Sequence, residues 1–424
     1  MEQKLPMARP LTVAIAGCGS RGQDTYARLL KEMPERVQVV AAADIMPEKL
    51  RGMRDMWGLT EAQCYFSAEE MLTKPRLADV MLICTPDRCH FSQAKAALLL
   101  DYDLLLEKPI SPSASECREL AALAQERGRQ VVVCHVLRYT PFYQTLKRLI
   151  DEGAVGEVVS MQGIEQVCYW HQAHSFVRGN WRNEGLSSCM ILQKCCHDTD
   201  ILLWLCGKHA RRVSSFGSLY HFRPENAPEG AAKRCTECQV AGCPYNAVDF
   251  YLKEFRESGD DWPQNVVAFE PTEEKLMAAL REGPYGRCVY ACDNDVVDHQ
   301  VLTIEFEDGA TADYTMAAFT AHGGRTLRVM GTRGELLGDM KANTIRVMRF
   351  GQEDEIIDVR RLATSFSGHG GGDGGLIREF VALERGEIGI SGTLTSIGRS
   401  VESHLVALAA EESRKKGGMP VNVK

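Results

Sequence analysis

No stretch of this 424-residue sequence approaches the roughly 20 consecutive apolar residues that a helix needs to span a bilayer. Basic charge is not in excess either: 49 Lys and Arg stand against 57 Asp and Glu, a net charge of −8. Nonspecific nucleic-acid binding needs a basic surface that displaces counterions, so that class of partner is not expected. Proline is sparse at 16 residues, and no internal repeat or low-complexity tail appears. With 45% hydrophobic and 25% charged residues, collagen-like, fibrous and disordered architectures are excluded. The amino terminus lacks a signal-peptide core, because its apolar part covers only residues 11–16 and runs directly into glycines. It reads as a first strand. Cysteine is plentiful at 16, but the chain is far too long for a disulfide-stapled miniprotein. Without a secretory signal the thiols are expected reduced, in the cytoplasm.

The first third alternates strand and helix. Apolar runs at residues 11–16, 37–43, 80–84, 104–106 and 130–136 are separated by helical spacings ending near 31, 100 and 127. Such alternation predicts a parallel sheet covered on both faces, a doubly wound α/β domain. Gly17, Gly19 and Gly22 fit G-x-G-x-x-G between the first strand and its helix, with Ser20 and Arg21 inside the turn. The first glycine permits a tight turn, the second lets a pyrophosphate approach the backbone, and the third lets helix pack on strand. Helix N–H groups then meet the phosphates. Asp44 follows Gly22 by 22 residues at the end of the second strand, where a carboxylate accepts from a ribose 2′-OH. Ile45 and Met46 follow it, with no cation for a 2′-phosphate, so NAD is favoured over NADP.

Three further markers recur in order: Thr85-Pro86 with His90, Glu107-Lys108-Pro109 after the fourth strand, and His197-Asp-Thr-Asp200. Together with the glycine turn they resemble the Gfo/Idh/MocA oxidoreductase family, over nearly the whole chain. The resemblance implies an NAD-binding Rossmann domain over 1–137. It further implies an α/β domain over 138–424 with a large, mostly antiparallel open sheet. That sheet commonly mediates assembly, so a homodimer or homotetramer is expected. Thr85, Pro86, His90, Glu107 and Lys108 would border the cofactor. Lys108 resembles the active-site lysine that holds and polarises the reacting hydroxyl, as developing alkoxide character requires. His197 resembles the general base, and an ordinary imidazole pKa of about 6.5 suits that task. One departure stands out: several members carry an aspartate four residues before this histidine, where this chain has Gln193.

On a helix, Lys194, His197 and Asp200 share one face. Lys194 and Asp200 are therefore candidates for substrate contact. Trp170, His171 and Arg178 are others, from a stretch that mixes rings with donors as a sugar site does. A polar loop at a subunit interface would look the same. Cys235, Cys238 and Cys243 form C-x2-C-x4-C, and with Cys288, Cys292 or His221 as a fourth ligand they could close around a structural zinc bracing an irregular insertion at about 222–287. Residues 301–316 read as a hairpin turning at Asp308-Gly309, with strands at 325–330 and 344–350. The glycine-rich stretch 367–375 reads as a loop whose His369 could close over a substrate. Helices follow at 376–384 and 395–415.

The leading expectation is an NAD-dependent oxidoreductase of a sugar, cyclitol or glycoside hydroxyl. A second is a glycosidase that retains NAD and cleaves by transient oxidation and elimination. A third is a noncatalytic NAD- and sugar-binding sensor. Lys108 and His197 together favour an enzyme.

Overall fold

Apolar runs that are buried on both sides make parallel strands, and six of them form the first sheet. In this computed structural model, which describes residues 7–259, 261–363 and 365–423, they are β1 (Leu11–Ala16), β2 (Val37–Ala43), β3 (Cys64–Tyr65), β4 (Val80–Ile83), β5 (Asp103–Leu106) and β6 (Val131–Val133). Their order is β3-β2-β1-β4-β5-β6, all parallel. The first six residues of the amino-terminal segment lie outside the described residues. One face of the sheet packs on Tyr26, Ala27 and Leu30 and on Leu376, Ile377 and Phe380. The other packs on the helices His90–Leu99 and Ala114–Glu126.

The second sheet has nine strands: β7 (Val158–Gln166), β8 (Ala210–Ser218), β9 (His299–Phe306), β10 (Thr311–Ala317), β11 (Gly324–Gly331), β12 (Gly334–Asp339), β13 (Thr344–Arg349), β14 (Glu355–Asp358) and β15 (Val421–Asn422). Their order is β14-β13-β12-β11-β7-β10-β9-β8-β15, and only the β7–β10 pair is parallel. The expected hairpin is β9–β10, with Gly309 at a left-handed φ of 94° in its turn. Helices Pro141–Asp151 and Cys196–Cys206 cover one face. The opposite face carries exposed Phe216, Val301, Leu337 and Ile356.

The chain does not leave the first unit for good at residue 137. Val133 donates its N–H to the Thr395 carbonyl at 2.8 Å, and the helix Gly372–Glu384 packs into the first core. The helix Ile397–Lys415 serves both cores, with Ile397 and Val401 in one and Val406, Ala407 and Ala410 in the other. Two expectations are corrected. Residues 372–375 are helical rather than loop, because their glycines allow close packing. A Cβ on Gly372 would lie 2.3 Å from the Val136 oxygen, and one on Gly375 2.8 Å from that of Tyr139. The insertion is helical rather than irregular: Ala247–Ser258 and Glu273–Glu282 enclose a small core of Ala247, Tyr251, Leu280 and Tyr285.

Arg138, in the segment joining the two units, makes two 2.6 Å bonds to Asp200 on the helix Cys196–Cys206. Their side chains are 5% and 1% exposed. Removing one member of such a pair strands the other charge. Arg138→Met is therefore expected to lower stability by about 3–5 kcal/mol, measured by urea unfolding.

Candidate active site

The glycine turn has the shape its residues predict. Gly17 sits at φ 87°, and a Cβ there would meet the Cys84 carbonyl oxygen at 2.6 Å. A Cβ on Gly22 would meet the Gly17 oxygen at 1.9 Å, so helix and strand touch through it. Gly19 is different, with nothing within 4 Å of its would-be Cβ. That open side, backed by the helical segment starting at Ser20, is where a pyrophosphate would meet backbone N–H groups. Asp44 accepts from the Cys18 N–H at 2.7 Å and from the Met46 N–H at 2.9 Å, which fixes its carboxylate beside the turn. Ile45 is exposed beside it. These residues fit a dinucleotide.

At the ends of β4 and β5, His90 bridges the Thr85 and Pro109 carbonyls at 2.7 Å each, tying the two loops together. Thr85 donates its hydroxyl to Gln93 at 2.6 Å. Glu107 accepts from Arg21 at 2.8 Å and from the Tyr26 hydroxyl at 2.6 Å. Burial pushes the Glu107 carboxyl up, but Arg21, Lys108 and Tyr26 together hold it below its ordinary value. Lys108 extends across to the second unit and donates through Nζ to the Gln193 carbonyl at 2.8 Å.

Gln193 ends one short helix, and His197 lies in the first turn of the next. Strand end, lysine and histidine therefore converge where the two units meet. His197 is buried, its ring 5.7 Å from His135 and 6.1 Å from His369. Burial lowers its pKa well below the ordinary value, and Lys108, His135 and His369 add to this. Its Nδ1 has no hydrogen-bond partner among the described residues. Lys194 lies 3.3 Å from Glu165, which also takes Arg325 at 2.8 Å, and Arg325 holds Asp198 at 2.7 Å.

Trp170 stacks on Phe250 at 5.2 Å and leans on Trp262 at 5.3 Å, while His171 meets Trp262 edge-on at 5.0 Å. The insertion thus supplies part of the aromatic wall. Other expected site residues are committed elsewhere. Asp200 is closed off by Arg138, as described above. Arg178 is buried and donates to the carbonyls of Arg287 and Tyr245 at 2.7 Å each. It anchors the insertion rather than facing a substrate. The zinc expectation is likewise corrected. Cys235, Cys238, Cys243 and Cys288 line one small hollow, but Arg178 donates through Nη2 to Cys235 Sγ at 3.5 Å. A permanent cation thus stands against the thiols, and burial raises the thiol pKa of Cys243 and Cys288. Among the described residues no group of three or more His, Cys, Asp or Glu is arranged to hold a metal.

One pairing escaped the sequence reading. Asp373, at the start of the helix Gly372–Glu384, accepts from Arg21 at 2.7 Å and from His369 Nδ1 at 3.0 Å. Arg21 and Asp373 are 352 residues apart, and no local pattern signals such a contact. Burial raises the Asp373 carboxyl, yet His369 and Arg21 outweigh it and hold it far below the usual carboxylate range.

Two predictions follow from this geometry. Gly22→Ala should lower the melting temperature without cofactor. Gly19→Ala should leave it nearly unchanged while cutting NAD affinity at least about tenfold, the equivalent of 1.4 kcal/mol, by calorimetry. Arg21→Leu should cost about 3 kcal/mol at pH 7, because it strands two buried carboxylates. Both carboxyls are depressed in the folded state. Their contribution is present above the ordinary carboxylate range near pH 4 and lost as pH falls through the lowered values. The deficit of Arg21→Leu should therefore shrink on acidification, in unfolding curves taken across pH.

Comparison with known proteins agrees along the whole chain. Residues 11–135 match the family described as "Oxidoreductase family, NAD-binding Rossmann fold". Residues 147–423 match "Oxidoreductase family, C-terminal alpha/beta domain". A Bacillus subtilis protein named as an oxidoreductase, YteT, is 24% identical over 378 residues, covering 85% of this chain and 86% of that one. An inositol 2-dehydrogenase/D-chiro-inositol 3-dehydrogenase of Lactiplantibacillus plantarum is 28% identical over 217 residues, or 51% of this chain and 58% of its own. This chain thus spans little more than half the length of that relative. Among solved structures, an inositol dehydrogenase homologue from Azotobacter vinelandii complexed with NAD+ superposes with a TM-score of 0.70. It is 17% identical and covers 100% of both chains. The WlbA dehydrogenase of Bordetella pertussis, in complex with NADH and UDP-GlcNAcA, gives 0.71 at 16% identity over 99% of each chain.

Proposed function

Since the chain belongs to the Gfo/Idh/MocA oxidoreductase family, whose first domain binds NAD, we propose that it transfers hydride between NAD and a secondary hydroxyl of a sugar, cyclitol or glycoside. The observation that carries this reading is Lys108. Its Nζ crosses from the end of β5 to the Gln193 carbonyl, one residue ahead of the turn into the His197 helix. A hydroxyl oxygen that replaces this carbonyl as acceptor meets a cation and has imidazoles beside it. NAD, with its pyrophosphate held by the open glycine turn and its ribose by Asp44, would supply the hydride acceptor.

The residues of this chain do the rest. Lys108 stabilises the oxygen as negative charge builds on it, an electrostatic effect worth about 10²–10³ in rate for one donor. Trp262, 37% exposed and backed by Trp170 and His171, would offer an apolar surface to a sugar. Glu107 keeps the lysine's strand end fixed through Arg21 and Tyr26. Support for the substrate class comes from this aromatic wall and from the relatives named for inositol. The exposed Phe216, Val301, Leu337 and Ile356 on the open sheet face support self-association.

The test begins with mass spectrometry of small molecules released when the purified protein is denatured, followed by NAD+ reduction against a panel of cyclitols, aldoses, uronates and glycosides. NAD, retained or bindable, and reduction by at least one polyol are expected. Lys108→Ala should lower kcat on that polyol about 100-fold or more. Failure to bind either nicotinamide dinucleotide would overturn the reading. Glycoside cleavage without net NADH would redirect it to the elimination chemistry.

A further inference from the structure

The glycine-rich segment brings a second imidazole into the cleft. Gly368, His369, Gly370 and Gly371 take left-handed φ values of 55°, 46°, 68° and 91°. For a histidine this conformation costs of order 1–3 kcal/mol and persists only where the surroundings enforce it. Asp373 enforces it here. Its Oδ2 accepts from His369 Nδ1 at 3.0 Å, and Arg21 pins the same carboxylate at 2.7 and 3.3 Å. A carboxylate so paired only accepts, so Nδ1 carries the ring proton and Nε2 is left with its lone pair. The His369 side chain is 42% exposed while that of Asp373 is 3% exposed. The ring therefore has a buried anchor and an open edge.

His197 is arranged differently. Its Nδ1 has no partner among the described residues. Position 193, where a carboxylate could back it, is Gln193, whose carbonyl takes Lys108. The carboxylate that the sequence lacks on the His197 side is present on the other wall of the cleft, as Asp373 behind His369.

We infer that the His369–Asp373 pair is the general base of the site: His369 Nε2 takes the proton of the substrate hydroxyl while Lys108 holds its oxygen. This rests on the oxidoreductase reading above. The O–H electrons become the second bond of the new carbonyl, the carbon-bound hydrogen leaves with its electron pair to NAD+, and the proton stays on His369. Asp373 is the positioning residue that balances the imidazolium charge. The other ionisable groups facing His369 are Arg21 behind Asp373, Lys194, His197 and His171. Burial lowers the His369 pKa, Asp373 offsets part of that, and Arg21 and Lys194 lower it further. His197 has no such offset, so on acidification His369 charges first.

The test combines a spectroscopic readout with kinetics. In the full-length protein labelled with 15N-histidine, without cofactor, long-range proton–nitrogen spectra should show His369 among the rings in the Nδ1–H form, with His404, whose Nε2 accepts from the Ile110 N–H, as an internal reference. The His369 peaks should vanish in His369→Gln and change tautomer balance in Asp373→Asn, while circular dichroism of both stays native. With NAD+ and the polyol found by the substrate panel, His369→Gln should lower kcat at least about 100-fold with KM within about threefold. Asp373→Asn should lower kcat and shift the acid limb of the pH–rate profile, and His197→Gln should lose less than about tenfold. An Nε2–H ring at His369 would overturn the inference. So would a His369→Gln enzyme within about threefold of wild type while His197→Gln is dead. An active wild type with the wrong tautomer strikes the base assignment alone. A wild type that oxidises no polyol, with the Nδ1–H ring present, strikes the oxidoreductase reading, and the base assignment falls with it.

Discussion

Two buried carboxylates, Glu107 and Asp373, approach the glycine turn from opposite walls, and one guanidinium makes their coexistence possible. Arg21 binds both, at 2.8 and 2.7 Å, with 29% of its own side chain exposed. Buried like charges are tolerated only when a counter-charge is fixed between them. Arg21 is fixed because it lies inside the glycine turn itself. The nucleotide-binding turn, the end of β5 and the start of the helix Gly372–Glu384 therefore hold one mutual arrangement. Lys108 and His369 are each one bond or one hydrogen bond beyond those carboxylates, so the chemistry of the cleft inherits that arrangement.

A second charge set orders the far wall. Arg325 from β11 holds Glu165 of β7 and Asp198 of the His197 helix, and Lys194 shares Glu165. The large sheet is thus wired directly to the helix that carries His197. With Arg138 on Asp200, every carboxylate of the stretch His197 to Asp200 faces an arginine. No anion is left on that short stretch to oppose alkoxide character at Lys108.

The sequence showed the first sheet well because parallel strands buried on both faces leave unbroken apolar runs, as at residues 80–83 and 103–106. β7 and β8 were not legible, since a half-exposed strand such as ARRVSSFGS mixes polar and apolar residues. The placement of the glycine turn, Asp44, Glu107 and Lys108 could be read because it follows from position relative to one strand. That of Arg178 and Asp200 could not. Helical spacing says which residues share a face but not what lies across from it, and there Tyr245, Arg287 and Arg138 waited. Asp373 and Arg325 find their partners across more than a hundred residues of sequence, where only the fold decides the partner.

The shared helix Ile397–Lys415 bears on how such a protein can be rearranged. The cofactor half is covered on one side by residues 376–394 and on the other by Ile397 and Val401, all of them encoded after β7–β14 of the large sheet. Cutting the chain near residue 137 would leave two apolar faces bare. The nucleotide unit is therefore not a portable cassette. Any exchange of cofactor halves between relatives must transplant two segments, the first third and the stretch from Gly372 to Val401, as a matched set.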